Sequence, residues 1–292
     1  PGATAITGFN NTDGGAGSTK TITGNIFNNW AGGTGAINTM NFTYWNGVSS
    51  LSNNTISNIT GQSTVTGITI GSSANNATSI SVSNNTINNL TSTGTGGSVT
   101  GITCTNTSTL ININNNAIGT LASTGASAVT GMSIGGATTT NVYKNTFCNL
   151  EGSNASSTVN GILVSAGTLV SLSNNRIGDL RTTAANAANP LNGISITGGT
   201  TVKVYYNSVF LSAASSGALF GSSAISASTS PNLTLNNNSF VNNSTSSGAG
   251  LTVAYRRSSA TLTSYAAASD QNNFYAPVIF TDGATTLTAM DA

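Results

Sequence analysis

One unit dominates this chain: a polar pair ending in Asn, followed by a short apolar pattern, returning about every thirty residues. It reads Asn53-Asn54-Thr55-Ile56-Ser57-Asn58-Ile59, then Asn84-Asn85-Thr86-Ile87-Asn88-Asn89-Leu90, then Asn115-Asn116-Ala117-Ile118-Gly119-Thr120-Leu121. Lys144-Asn145-Thr146-Phe147-Cys148-Asn149-Leu150 and Asn174-Asn175-Arg176-Ile177-Gly178-Asp179-Leu180 keep the frame, and weaker copies sit at Asn25, Asn207, Asn238 and Asn273. A fixed period of this length means that each unit must bury its apolar face on its neighbours.

Two further segments recur inside each period. One is Thr66-Gly67-Ile68-Thr69-Ile70, matched at Thr100-Gly101-Ile102, Thr130-Gly131-Met132, Asn160-Gly161-Ile162 and Asn192-Gly193-Ile194. The other is Ile80-Ser81-Val82, matched at Ile111-Asn112-Ile113, Val170-Ser171-Leu172, Val202-Lys203-Val204 and Leu233-Thr234-Leu235. Apolar residues alternate with polar ones in both, the strand period, and no stretch repeats at 3.6. Gly, Ser, Thr and Asn are also poor in helix interiors. Three short strands in about thirty residues make one coil of a right-handed parallel β-helix. The expected fold is therefore all-β, with eight or nine coils at roughly 4.8 Å each.

In that fold the Asn repeat has a structural task at the corner between the third strand of one coil and the first of the next. Asn54, Asn85, Asn116, Asn145, Asn175, Asn207 and Asn238 should stack as a turn ladder. Asn tolerates left-handed backbone and bonds its own turn. Residues 91–98, 122–128 and 182–189 vary in length and read as exposed loops on one side of the rod. Residues 1–254 form the expected solenoid, beginning within a coil, and residues 255–292 an irregular terminal coil or extension. Strand edges at such ends call for more chain or another molecule, so the expected partner is a second copy, stacked head to tail, or a longer polypeptide.

Composition narrows the function by exclusion. Asn, Ser and Thr make up 130 of 292 residues, while 7 are basic, 6 acidic and none is His. A net charge of +1 offers no footprint for nucleic acid, and no apolar run is long enough for membrane insertion. Disorder is disfavoured because 37% of residues are hydrophobic and they are placed with a period. No catalytic residue, cofactor site or metal site is expected. Cys104 and Cys148 fall on different strands two coils apart, too far for a disulfide and too few for zinc.

Polysaccharide-cleaving β-helices need clustered carboxylates, and of Asp13, Glu151, Asp179, Asp270, Asp282 and Asp291 only Glu151 and Asp179 fall together, near Arg176 and Arg181. A solvated ion-pair cluster is the simpler reading. Trp30 aligns with Leu90, Leu121, Leu150 and Leu180 and is expected in the core. Alternation of Met40, Phe42 and Tyr44 inward puts Trp45 on the solvent side, a candidate contact for a surface glycan. Thr69, Thr103, Ser133 and Ser195 form an outward hydroxyl rank of the kind that could match ice, but Leu163 interrupts it.

The cycle of Asn-Asn-Thr-Ile-x-Asn-Leu, a Ser/Thr/Gly loop, Val-Thr-Gly-Ile-x-Ile, and the run Gly198-Gly199-Thr200-Thr201-Val202-Lys203-Val204-Tyr205-Tyr206-Asn207 resembles the parallel β-helix repeats of very large secreted surface proteins of Bacteroidota-type bacteria. The resemblance covers nearly the whole chain. It implies export to the cell surface, a long multi-repeat polypeptide, and a non-enzymatic role as a filament or adhesin element.

Overall fold

The computed structural model describes residues 2–11, 19–261 and 263–288; the side chains of residues 72–76 lie outside that description. Among the described residues every regular element is a strand, and the chain winds as a parallel β-solenoid of about eight turns.

Three stacks of strands run the length of the solenoid. The first comprises Ile26–Ala31, Thr55–Gly61, Thr86–Ser92, Ala117–Ser123, Thr146–Gly152, Arg176–Gly178 with Leu180–Thr182, Ser208–Leu211, Ser239–Asn242 and Asn273–Tyr275. The second runs from Ile6–Asn11 through the opening halves of Ile37–Ser52 and Val65–Ser83, then Val99–Cys104, Val129–Gly135, Val159–Ala166, Ala187–Ile196, Phe220–Ala227, Thr252–Arg257 and Val278–Thr281. The third runs from Thr21–Thr23 through the closing halves of the two long strands to Leu110–Asn114, Thr139–Tyr143, Leu169–Ser173, Thr201–Tyr205 and Asn232–Asn236. All named pairings are parallel except the last, where Thr286–Leu287 runs back against Val278–Thr281. The boundary expected after residue 254 thus falls inside Thr252–Arg257, and stacking continues through residue 281.

The register explains the repeated letters. Ile56, Ile87, Ile118, Phe147 and Ile177 pair coil to coil and are buried. So are Ile68, Ile102, Met132, Ile162 and Ile194. Like residues in register bury apolar surface without leaving steps in the core.

The Thr-Gly-Ile signature has a packing cause. A Cβ on Gly67, Gly101, Gly131 or Gly161 would lie 2.5–2.6 Å from the carbonyl oxygen of the glycine one coil further on. On Gly101, Gly131 and Gly161 it would also meet Ile118, Phe147 and Ile177 across the core at 2.5–2.7 Å. These glycines give the first stack's large side chains their space.

The first stack carries a device the repeat alone does not announce. Asn29, Asn58, Asn89, Thr120, Asn149 and Asp179 all have φ of 51–61° and sit between two inward residues, as Asn58 does between Ile56 and Ile59. Each is a left-handed kink, an outward bulge that successive coils make in register, and it places both flanking apolar residues inward, three positions apart. Exposed amides stack on it, Asn58 Nδ2 donating to Asn28 Oδ1 at 2.8 Å and Asn89 Nδ2 to Asn58 Oδ1 at 2.6 Å. The bulge ends after Asp179: Val209 and Leu211 are both buried with one residue between them.

Trp45 corrects the expectation. Thr43 and Tyr44, both half-buried, stand between Phe42 and Trp45 where the register with the next strand slips, so Trp45 turns inward and is 2% exposed. Its indole N–H donates to the Phe42 carbonyl at 3.2 Å, and its ring meets Phe42 at 5.6 Å. Two successive residues between inward rings reverse the inside-outside phase of the strand. Trp45 is therefore core and cannot stack on a glycan. Trp30, half-buried, packs on the core beside Phe27 with ring centroids 5.6 Å apart.

Candidate functional site

The corner ladder divides its work between the two residues of each pair. The first takes left-handed backbone: Asn53, Asn84, Asn115, Lys144, Asn174, Tyr206, Asn237 and Gln271 have φ of 53–58°. The second is buried and supplies the amide. In Asn116, Oδ1 accepts from the backbone N–H of Asn85 at 3.0 Å and from Asn85 Nδ2 at 2.9 Å. Its Nδ2 donates to the Val82 carbonyl at 3.0 Å and to Asn145 Oδ1 at 2.9 Å. Asn54, Asn85, Asn145, Asn175, Asn207 and Asn238 repeat the pattern: each donates from its Nδ2 to the Oδ1 of the next, and its own Oδ1 accepts from the one before. The ladder runs from Asn25 to Asn272 in steps of 29–34 residues. Its last member is Asn272, not Asn273: Gln271 occupies the left-handed position, and Asn273 opens the next strand opposite Ser239.

The charged residues brought together by register are Glu151, Asp179 and Arg181. Arg181 Nε donates to Glu151 Oε2 at 3.2 Å and its Nη1 to Asp179 Oδ1 at 2.7 Å, while Nη2 donates to Asn149 Oδ1. The cluster is substantially solvent-exposed. Arg176 stands apart from it, two residues before Gly178, with no side-chain hydrogen bond or ion pair among the described residues. The guanidinium of Arg181 holds both carboxylates in one solvent-exposed salt-bridge network. Asp13 and Asp291 lie outside the described residues.

The cysteines are free. Cys104 is buried, and burial pushes its thiol up to about 12, against a smaller opposing pull from the backbone N–H of Asn106. Cys148 is exposed on the first stack. The described residues hold no group of three or more His, Cys, Asp or Glu able to share a metal ion. The outward rank of the second stack reads Asn41, Thr69, Thr103, Ser133, Leu163, Ser195, Ser226, Arg256 and Thr281, so its run of hydroxyls is broken at Leu163 and again at Arg256.

Near the last coils, Arg257 lies over the Tyr265 ring at 5.6 Å and donates to the Thr261 carbonyl at 2.6 Å and to Ser264 Oγ at 3.1 Å. Burial pushes the Tyr255 hydroxyl up to about 12. Asp282 closes its own turn by accepting from the N–H groups of Thr285 and Ala284, which hold its carboxyl below the usual range.

By architecture the chain is a parallel β-solenoid whose corners are locked by a buried amide ladder. Comparison with protein-family models, curated proteins and solved structures finds no match.

Proposed function

We propose that this chain is a stiff, non-enzymatic segment of a cell-surface filament or adhesin, exported from the cell, of the kind its repeats resemble. The observation that carries the reading is the continuity of the corner ladder and core from Asn25 to Asn272. Eight steps at about 4.8 Å make a rod roughly 40 Å long in which each coil is hydrogen-bonded to the next along three stacks. Such a rod holds its ends at a fixed separation, and side-chain amides inside it resist slippage of one coil on another. Its lateral surface is mostly hydroxyl and amide, so association through it should depend little on salt.

The test is electron microscopy of the native material, with polypeptide mass from denaturing gels. Straight fibres with a 4.8 Å axial repeat, built either of this chain or of a larger polypeptide containing it, are expected. Dispersed single rods, with no larger polypeptide containing this sequence, would overturn the reading.

A further inference from the structure

The first stack changes construction between two adjacent coils, and the change leaves a depression of about 480 Å³ on its outer face. Up to Asp179 every coil carries the left-handed bulge; from Ser208–Leu211 onward none does. At this seam Gly178 pairs with Phe210, and the outward column reads Gly119, Cys148, Gly178, Phe210, Val241, Tyr275. Gly178 has no side chain, so its plot is a floor. Cys148 bounds it on one side and Phe210 on the other, while Arg176 and Asp179 flank it along the chain. Phe210 is 50% exposed and Tyr275 61% exposed, in a protein whose other aromatics mostly serve the core.

We propose that this seam binds an uncharged pyranose ring, the unit of a neutral surface or matrix polysaccharide. A pyranose has an apolar C–H face and a rim of hydroxyls, and the seam offers a partner to each. The exposed face of Phe210 takes the C–H side. Arg176, whose guanidinium has no partner among the described residues, donates to hydroxyl or ring oxygens. Asp179 has one carboxylate oxygen held by Arg181 and the other available to accept from hydroxyls. The left-handed backbone of Asp179 fixes that carboxylate at the rim. A cation on one side and a carboxylate on the other leave the pit without a net charge, which favours a neutral sugar over a uronate or sialate. Tyr275, two coils beyond Phe210 on the same column, supplies a second platform for a longer glycan. The inference stands apart from the filament reading, since a lone rod would carry the same seam.

The 292-residue chain is applied to an array of neutral hexose and N-acetylhexosamine oligosaccharides printed beside uronate and sialate ones, and the strongest neutral hit is then titrated by calorimetry. Gly178→Val fills the floor at little cost to the fold, because a Cβ there meets only the Phe210 carbonyl, at 3.5 Å. Asp179→Asn keeps the bulge, as Asn149 does one coil earlier, and removes the charge. Expected are neutral hits that vanish in Gly178→Val at unchanged melting temperature. Phe210→Ala and Asp179→Asn should each bind about tenfold more weakly or worse. No neutral hit, hits confined to acidic glycans, or hits that survive both Gly178→Val and Asp179→Asn would overturn the proposal. So would dimerisation through this face, lost in Phe210→Ala.

Discussion

Replacing Asn116 by Ala isolates one rung of the corner ladder. The amide makes four hydrogen bonds, all buried: two accepted from Asn85 and one donated to each of Val82 and Asn145. Alanine leaves the Asn85 N–H and one Asn85 amide hydrogen without partners, and takes one donor each from the Val82 carbonyl and Asn145 Oδ1. At about 1 kcal/mol for each net bond, the loss is about 4 kcal/mol, more if water cannot enter. Two neighbours serve as controls. Asn115→Ala touches no ladder bond and costs only the left-handed backbone penalty, about 1 kcal/mol. Asn25 is the first rung and makes one ladder bond through its side chain, so Asn25→Ala should cost about 1 kcal/mol as well.

A solenoid can open coil by coil, so a single unfolding midpoint would blur these differences. Amide hydrogen exchange resolves them. Protection in Thr86–Ser92 and Ala117–Ser123 should fall roughly a thousandfold in Asn116→Ala and about tenfold or less in Asn115→Ala. Equal, small effects in the two variants would refute the assignment of the second Asn as the bearing residue.

Three other outcomes follow from the packing. Gly131→Ala drives a Cβ to 2.5 Å from both the Gly161 carbonyl and Phe147, and should destabilise by about 2 kcal/mol or more; Phe147→Leu in the same chain should recover part of it in urea denaturation. In a Trp30→Phe background, Trp45 emission should be blue-shifted and resist iodide quenching, and Trp45→Ala should cost about 3–5 kcal/mol; free quenching would put Trp45 back at the surface. Alkali should unfold the chain in a defined window. Cys104 and Tyr255 keep their protons to about 12 when folded, whereas the ordinary values are 9.0 and 10.0. Between those limits the unfolded state binds fewer protons, so stability falls with rising pH, by up to about 1.4 kcal/mol per pH unit and group. Cys104→Val should flatten the curve from pH 9 upward, and an unchanged slope would remove Cys104 as its cause.

The sequence by itself determined the period, the strand content and the inward ladders. Each coil solves the same packing problem with the same letters, so Ile56, Ile87, Ile118 and Ile177 are recognisable one at a time. It also marked the corner, because Asn is the side chain that both tolerates left-handed backbone and can donate and accept along a stack. It named Asn116 for the ladder but gave that residue both tasks; only the structure shows that Asn115 takes the left-handed backbone while Asn116 is buried and supplies the amide. Trp45 was misplaced for the same kind of reason. A change of phase after Phe42, where Thr43 and Tyr44 both stand between two inward rings, leaves no mark in the letters, yet it exchanges inside for outside. The bulge before Ile59, Leu90 and Leu121 was legible only as an odd spacing of three between apolar residues, and its disappearance after Asp179 only as a spacing of two. What that change does, opening a pit over Gly178 beside an exposed Phe210, depends on which residues of neighbouring coils meet. Those contacts lie about thirty residues apart in the chain and one strand spacing apart in space, and the stacking decides them.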